Sequence, residues 1–144
     1  MKTRDFIKQI DLEKIKQAIA EAEKKSSGEI RVLVTTKKVE DPLAEAEKEF
    51  ANLKMHETRD RNGVLILFAP ESRKFAVWGD FAVHEKCGTD FWQGIVDHMT
   101  PLLKEEKFTE AIVTAVKKIG LILVEHFPKK PDDTNELSDE VIVR

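Results

Sequence analysis

The 144-residue chain has one cysteine, no long apolar run and no large excess of charge of one sign. Cys87 cannot form an internal disulfide, so a reducing, cytoplasmic location is the default expectation. No stretch approaches the roughly 20 apolar residues of a membrane helix, and the first residues lack a signal-peptide core. Lysine and arginine are scattered among the acids at a net charge of −3. Neither membrane insertion nor nucleic-acid binding is therefore expected.

Signatures of the common enzyme classes are also missing. The sequence has no Gly-rich phosphate loop, dinucleotide fingerprint, paired cysteines, nucleophile-elbow serine or zinc-type His-Glu-x-x-His. The four histidines lie in different predicted elements without ligand spacing, which favours structural roles. Cys87 has no evident base, which disfavours a nucleophilic role. Motifs alone therefore name no reaction.

A β-hairpin is the best-defined feature that the sequence does contain. Val64–Ala69 is an unbroken apolar run between Gly63 and Pro70, the pattern of a strand buried on both faces. Lys74–Gly79 alternates as a second strand. The four residues between them allow only a tight reversal. We therefore expect an antiparallel pair with Ala69 opposite Lys74 and Val64 opposite Gly79.

Helix and strand patterns on either side of the hairpin complete the predicted fold. A first helix should begin at Asp11, a strand should run from Glu29 to Thr36, and a second helix should begin at Asp41-Pro42. A strand, a helix and a strand in series predict a right-handed parallel crossover.

After the hairpin the pattern is helical, with two interruptions. A short helical turn, Phe81–Lys86, should close at Gly88, and a longer helix should follow from Thr89 or Asp90, kinked or ended early by Pro101. The last helix should span about Thr109–Phe127. Residues 128–144 form a linker and a polar tail, in which residues 141–143 could add a short edge strand.

These elements predict a single α/β domain over residues 1–127. Four to five helices should cover both faces of a small mixed sheet, in a three-layer α/β/α sandwich.

Polar residues converge at one end of this predicted sheet. Parallel pairing places the starts of the first two strands together, and the end of the third strand joins them. If the first strand lies beside the second, a cleft forms there. We call these residues the acidic edge: Ser27, Glu29, Asp60, Arg61, Asn62 and Asp80.

Two interpretations of the acidic edge remain open. Asp60, Asn62 and Asp80 offer hard oxygen ligands for Ca²⁺ or Mg²⁺, and a bound cation beside Arg61 could hold a phosphoryl oxygen. Alternatively, Asp60 and Asn62 are turn formers before Gly63, and Asp80 caps the helical turn at Phe81.

Several segments together resemble the TPM domain family, across nearly the whole chain. They are SGEIRV at residues 27–32, LKMHET at 53–58, RNGVLI at 61–66, RKFAVWGD at 73–80, DFW at 90–92 and NELSDE at 135–140. That family includes thylakoid-lumen proteins, a receptor-auxiliary protein and many bacterial proteins. The chain looks most like the short soluble bacterial members.

The resemblance implies an α/β sandwich and, from plant members, an acid phosphatase activity with a divalent cation near acidic residues. Asp60 and Asp80 match positions near that acidic site, with Asn62 beside them. Two hypotheses follow. The chain is either a protein-interaction or accessory module, with or without a bound cation and with an unidentified protein partner, or a weak cation-assisted phosphomonoesterase.

Overall fold

The computed structural model describes residues 1–131 and 137–144, so Asn135 and Glu136 of the C-terminal segment lie outside the described residues. Five α-helices and four β-strands are present in these ranges, with single 3₁₀ turns at Met55–Glu57 and Pro70–Ser72. The elements are α1 (Thr3–Lys8), α2 (Leu12–Glu23), β1 (Glu29–Val34), α3 (Pro42–Asn52), β2 (Gly63–Ala69), β3 (Lys74–Gly79), α4 (Phe81–Lys104), α5 (Phe108–His126) and β4 (Ile142–Val143).

The strands form one mixed sheet in the order β3-β2-β1-β4. The hairpin is confirmed in its register, since Ala69 pairs with Lys74 and Val64 with Gly79. The parallel crossover is confirmed as well, because β1 pairs with β2 in parallel along its whole length. The predicted C-terminal edge strand is β4, which lies parallel to the end of β1.

Helices cover both faces of the sheet. On one face, Val32 and Ile66 pack into a core with residues of α2, α4 and α5. On the other face, Leu33 and Leu65 pack with residues of α3, such as Phe50. The three-layer α/β/α sandwich is therefore confirmed.

The predicted helix that begins at Asp11 is confirmed as α2, but the short helix α1 before it is not predicted from the sequence. Six residues are too few to display a readable helical period. Tertiary packing holds α1 in place, since the Phe6 ring lies 5.5 Å from the Phe68 ring and 4.9 Å from the Phe108 ring.

Of the two interruptions predicted in helix α4, the one at Gly88 is present, whereas Pro101 lies within the helix. Gly88 has φ 76° and ψ 171°. This backbone conformation is not helical, and residues other than glycine rarely adopt it. The first helical segment therefore ends at Gly88, as predicted. The second continues past Pro101 and ends at Lys104, one turn later.

Across the part of the chain that the structure describes, no helix combines the length and apolarity needed to cross a membrane.

Gly79 and Gly94 provide a matched test of the packing between β3 and α4. A Cβ atom on Gly79 would lie within 2.8 Å of Cη2 in the Trp92 ring, whereas nothing lies within 4 Å of a Cβ atom on Gly94. We expect Gly79→Ala to lower the free energy of unfolding by about 2 kcal/mol because the rigid indole must move. Gly94→Ala should raise it by roughly 0.5 kcal/mol through helix propensity. Urea denaturation of the three proteins measures both changes, and equal stabilities would contradict this account.

Candidate functional site

The strand register brings the parts of the acidic edge to one end of the sheet. Glu29 at the start of β1 pairs with Gly63 at the start of β2. From the other side, the Asp80 backbone N–H donates to the Gly63 carbonyl at 2.9 Å. The chain segments before β1 and β2 and after β3 therefore lie side by side.

Arg61 and Asp80 form the strongest interaction at this edge. Arg61 Nε donates to Asp80 Oδ2 at 2.8 Å, and Nη2 donates to Oδ1 at 2.9 Å. These hydrogen bonds raise the pKa of Arg61 above its ordinary value, and the negative charge of Asp80 adds a smaller increase. Asp80 Oδ1 also accepts from the Phe81 N–H at 2.7 Å, as the N-cap of α4. Both oxygens of this buried carboxylate are thus engaged within the protein.

Asn62 and Ser27 form a second, separate contact between the starts of β2 and β1. The Asn62 Nδ2 group donates to Ser27 Oγ at 3.0 Å. The Asn62 side chain is fully buried, and its Oδ1 atom has no hydrogen-bond partner in the described ranges.

Asp60 takes part in neither contact. Its carboxylate is partly exposed, and Oδ1 lies 3.9 Å from Arg59 Nε. Arg61, which follows it, has φ 51°, a left-handed conformation that bends the chain sharply before β2. Among residues 1–131 and 137–144, no three histidine, cysteine, aspartate or glutamate side chains are grouped so that they could hold a metal. The cation site at Asp60, Asn62 and Asp80 stays a prediction.

Glu29, the remaining residue of the acidic edge, belongs to a charged cluster that the sequence analysis missed, in which Glu23 and Glu29 are buried. The cluster consists of Glu23, Glu29, Arg31 and Asp139. Burial raises the pKa of Glu23 to about 10, helped by a hydrogen bond with Asp139 and by the charge of Glu29. Burial also lowers the pKa of Arg31, against the opposing effect of these acids.

Glu23 has a defined structural role in this cluster. Its Oε2 atom accepts from the Ile30 N–H at 2.8 Å. The short strand β4 pairs only with Leu33 and Val34 of β1. The Ile30 N–H lies beyond this pairing, so the Glu23 carboxyl group accepts its hydrogen bond instead. The sequence does indicate that Glu23 is buried, because Glu23 lies four residues after Ile19 and therefore on the same, buried face of α2.

The raised pKa of Glu23 predicts a specific pH dependence of stability. Between about pH 4.5 and pH 10 the folded chain keeps a proton that the unfolded chain releases, so stability should fall as pH rises. Glu23→Gln removes this titration. We expect the free energy of unfolding of the parent to fall from pH 5 to pH 8 relative to this variant, by at most about 1.4 kcal/mol per pH unit.

Glu21→Gln is the matched control, because Glu21 lies on the same helix, is exposed and pairs with Lys24. Chemical denaturation across the pH series should show this control following the parent. Parallel curves for the parent and Glu23→Gln would contradict the prediction.

Comparisons with known proteins agree with this architecture. The sequence profile of the TPM domain family matches residues 1–121. The NMR structure of the BA42 protein from the psychrophilic bacterium Bizionia argentinensis superposes with a TM-score of 0.84 at 34% sequence identity. That match covers 94% of this chain and 95% of the other. No functionally curated protein matches the chain.

Proposed function

Because the chain belongs to the TPM domain family, we propose that it acts as a protein-interaction or accessory module whose partner docks beside the acidic edge, on Arg61 and Phe81. The observation that carries this proposal is the exposure of Phe81. Its side chain is 69% exposed at the first residue of α4, directly after the Asp80 carboxylate that binds Arg61.

Arg61 and Phe81 have the properties of interface anchors. Aromatic and arginine side chains are enriched at the centres of protein interfaces. The Arg61 side chain is 51% exposed, yet two hydrogen bonds to Asp80 hold it in one geometry. A side chain that is already ordered loses less entropy on binding. The partner should therefore offer an apolar pocket for Phe81 and a carbonyl or carboxylate oxygen for Arg61.

The rest of the acidic edge supports a role without turnover. Asp80 binds Arg61 and caps α4, so it is poorly placed to act as a base. The Ser27 hydroxyl accepts from the Asn62 amide, which is not a base that could activate a nucleophile.

Site-specific photo-crosslinking in the source organism tests this docking surface. A benzophenone amino acid replaces Phe81 in one version of the chain and Leu43 in the control version. Leu43 is a fair control because it is 49% exposed at the start of α3. The segment before α3 contacts the hairpin turn, at the other end of the sheet from the acidic edge. We expect a discrete protein adduct from position 81 only, and its loss when Arg61→Glu is added. Absence of an adduct at position 81, or identical adducts at both positions, would contradict the proposal.

A cation-assisted phosphomonoesterase is the alternative, and the buried Asn62 Oδ1 atom is the observation that favours it. This oxygen and the Asp60 carboxylate could each bind a cation. However, Asp80 already accepts three hydrogen bonds from Arg61 and the Phe81 N–H, and the adjacent Arg61 guanidinium would repel a cation there. Asp60 and Asn62 would therefore have to hold the ion largely with water, and no catalytic step is assigned to it.

A phosphatase assay separates the two functions. The parent, Asp60→Asn and Asp60→Asn/Asp80→Asn are compared on p-nitrophenyl phosphate with Ca²⁺, Mg²⁺ or Mn²⁺. An interaction module predicts equal background rates for all three proteins. A cation-stimulated rate in the parent that Asp60→Asn abolishes, with an unchanged melting temperature, would favour the enzyme. The single variant is decisive because Asp80→Asn also weakens the Arg61 pair and the cap of α4. A melting temperature of the parent raised by millimolar cation would separately indicate binding.

A further inference from the structure

A cavity of about 390 Å³ lies at the opposite end of the sheet from the acidic edge. It opens between α1, the hairpin turn and the end of α4. Its volume falls within the range of roughly 300–1,000 Å³ that is typical of small-molecule pockets. Nothing in the function proposed above uses this cavity.

Four phenylalanine side chains from separate elements line the cavity. Phe6 belongs to α1, Phe68 to β2, Phe75 to β3 and Phe108 to α5. Their rings form a continuous series, because Phe6 contacts both Phe68 and Phe108, and Phe68 stacks on Phe75 with 6.0 Å between centroids. Phe6, Phe68 and Phe108 are themselves buried, and the half-buried Phe75, Met1 and Leu103 provide the accessible apolar surface of the cavity. Replacing water with an apolar group at this surface lowers the free energy.

The polar residues around the cavity are mostly cationic. Arg73, Lys74 and Lys104 contribute three positive charges, against the single acid Glu106. Lys74 Nζ donates to the Glu40 carbonyl at 2.6 Å. Arg73 and Lys104 are exposed, and in the described part of the chain their side chains have no hydrogen-bond or ion-pair partner. In a chain of net charge −3, this local excess of positive charge favours an anion.

The position of the cavity in the fold is also typical of a ligand-binding site. The Phe68 carbonyl, near the carboxyl end of β2, accepts from the Thr35 N–H just beyond β1. The cavity therefore lies off the carboxyl ends of the two parallel strands, where open α/β sheets usually bind ligands.

We propose that this cavity binds a small organic carboxylate with an apolar alkyl or aryl body. The body lies on the phenylalanine wall, and the carboxylate faces Arg73 and Lys104 at the mouth. The wall binds the apolar body, and the cations add affinity for a ligand that also carries a negative charge.

Isothermal titration calorimetry with three probes tests both halves of the proposal. Octanoate supplies the alkyl body and the charge, 1-octanol supplies the body alone, and acetate supplies the charge alone. We expect saturable binding of octanoate, about tenfold weaker binding of 1-octanol and no measurable binding of acetate, because a charge-assisted contact is lost in one and the apolar contact in the other. Equal affinities for octanoate and 1-octanol, or no saturable octanoate binding at millimolar concentration, would overturn it.

Paired charge variants identify the groups that bind the carboxylate. Arg73→Gln/Lys104→Gln should lower the octanoate affinity to that of 1-octanol and leave 1-octanol binding unchanged. Lys48→Gln/Lys86→Gln makes the same change in net charge on exposed positions of α3 and the first part of α4. This control should bind octanoate as the parent does, and a similar loss in both double variants would overturn the assignment.

Amide chemical shifts on adding octanoate separate this site from the docking surface. Shifts should move at residues 73–75 and 103–106 and stay unchanged at residues 59–62. Perturbation confined to residues 59–62 would overturn the cavity as the binding site and leave the docking proposal untouched.

Discussion

The structure depends on the complete burial of β2. All seven residues from Gly63 to Ala69 are buried, so both faces of the strand need apolar cover and both edges need hydrogen-bonded neighbours. Helix α3 covers one face, and α2, α4 and α5 supply the core on the other. Strands β1 and β3 pair with the two edges. This requirement leaves only the two ends of the sheet for polar chemistry.

The two ends of the sheet differ in chemistry for a reason that lies in the backbone. At the amino ends of β1 and β2, sharp turns place short polar side chains near one another, and these side chains mainly satisfy each other, as in the Arg61–Asp80 and Asn62–Ser27 contacts. At the carboxyl ends, the hairpin turn and the α4–α5 connection leave space above a wall of phenylalanines. One end is thus filled by its own hydrogen bonds, whereas the other keeps an open volume.

Local signals in the sequence were enough to predict most of the framework. The apolar run of β2 and the four-residue reversal after it determine the hairpin register. Asp11, Asp41 and Asp80 each cap a helix as expected. The position of α1 could not be predicted in this way, because six residues carry too little periodicity and the helix depends on Phe6 packing against distant rings.

The candidate site was less predictable than the framework. The topology correctly brings Asp80 beside the start of β2, but a metal ligand and an arginine-paired helix cap need the same placement. Only the side-chain geometry distinguishes them, and it shows Asp80 bonded to Arg61 and to the Phe81 N–H. The burial of Glu23 could be inferred from its spacing to Ile19, but its partner Asp139 lies more than a hundred residues away along the chain, so no local pattern could reveal the complete cluster.

Helix α4 connects the two ends of the domain, since it begins beside Asp80 and its last turn reaches the cavity at Lys104. A continuous rod would transmit a tilt at either end to the other. The single non-helical residue Gly88 interrupts the hydrogen-bonded ladder between them. The helix is therefore divided at this residue into two segments, and a small shift of the second segment need not displace the first.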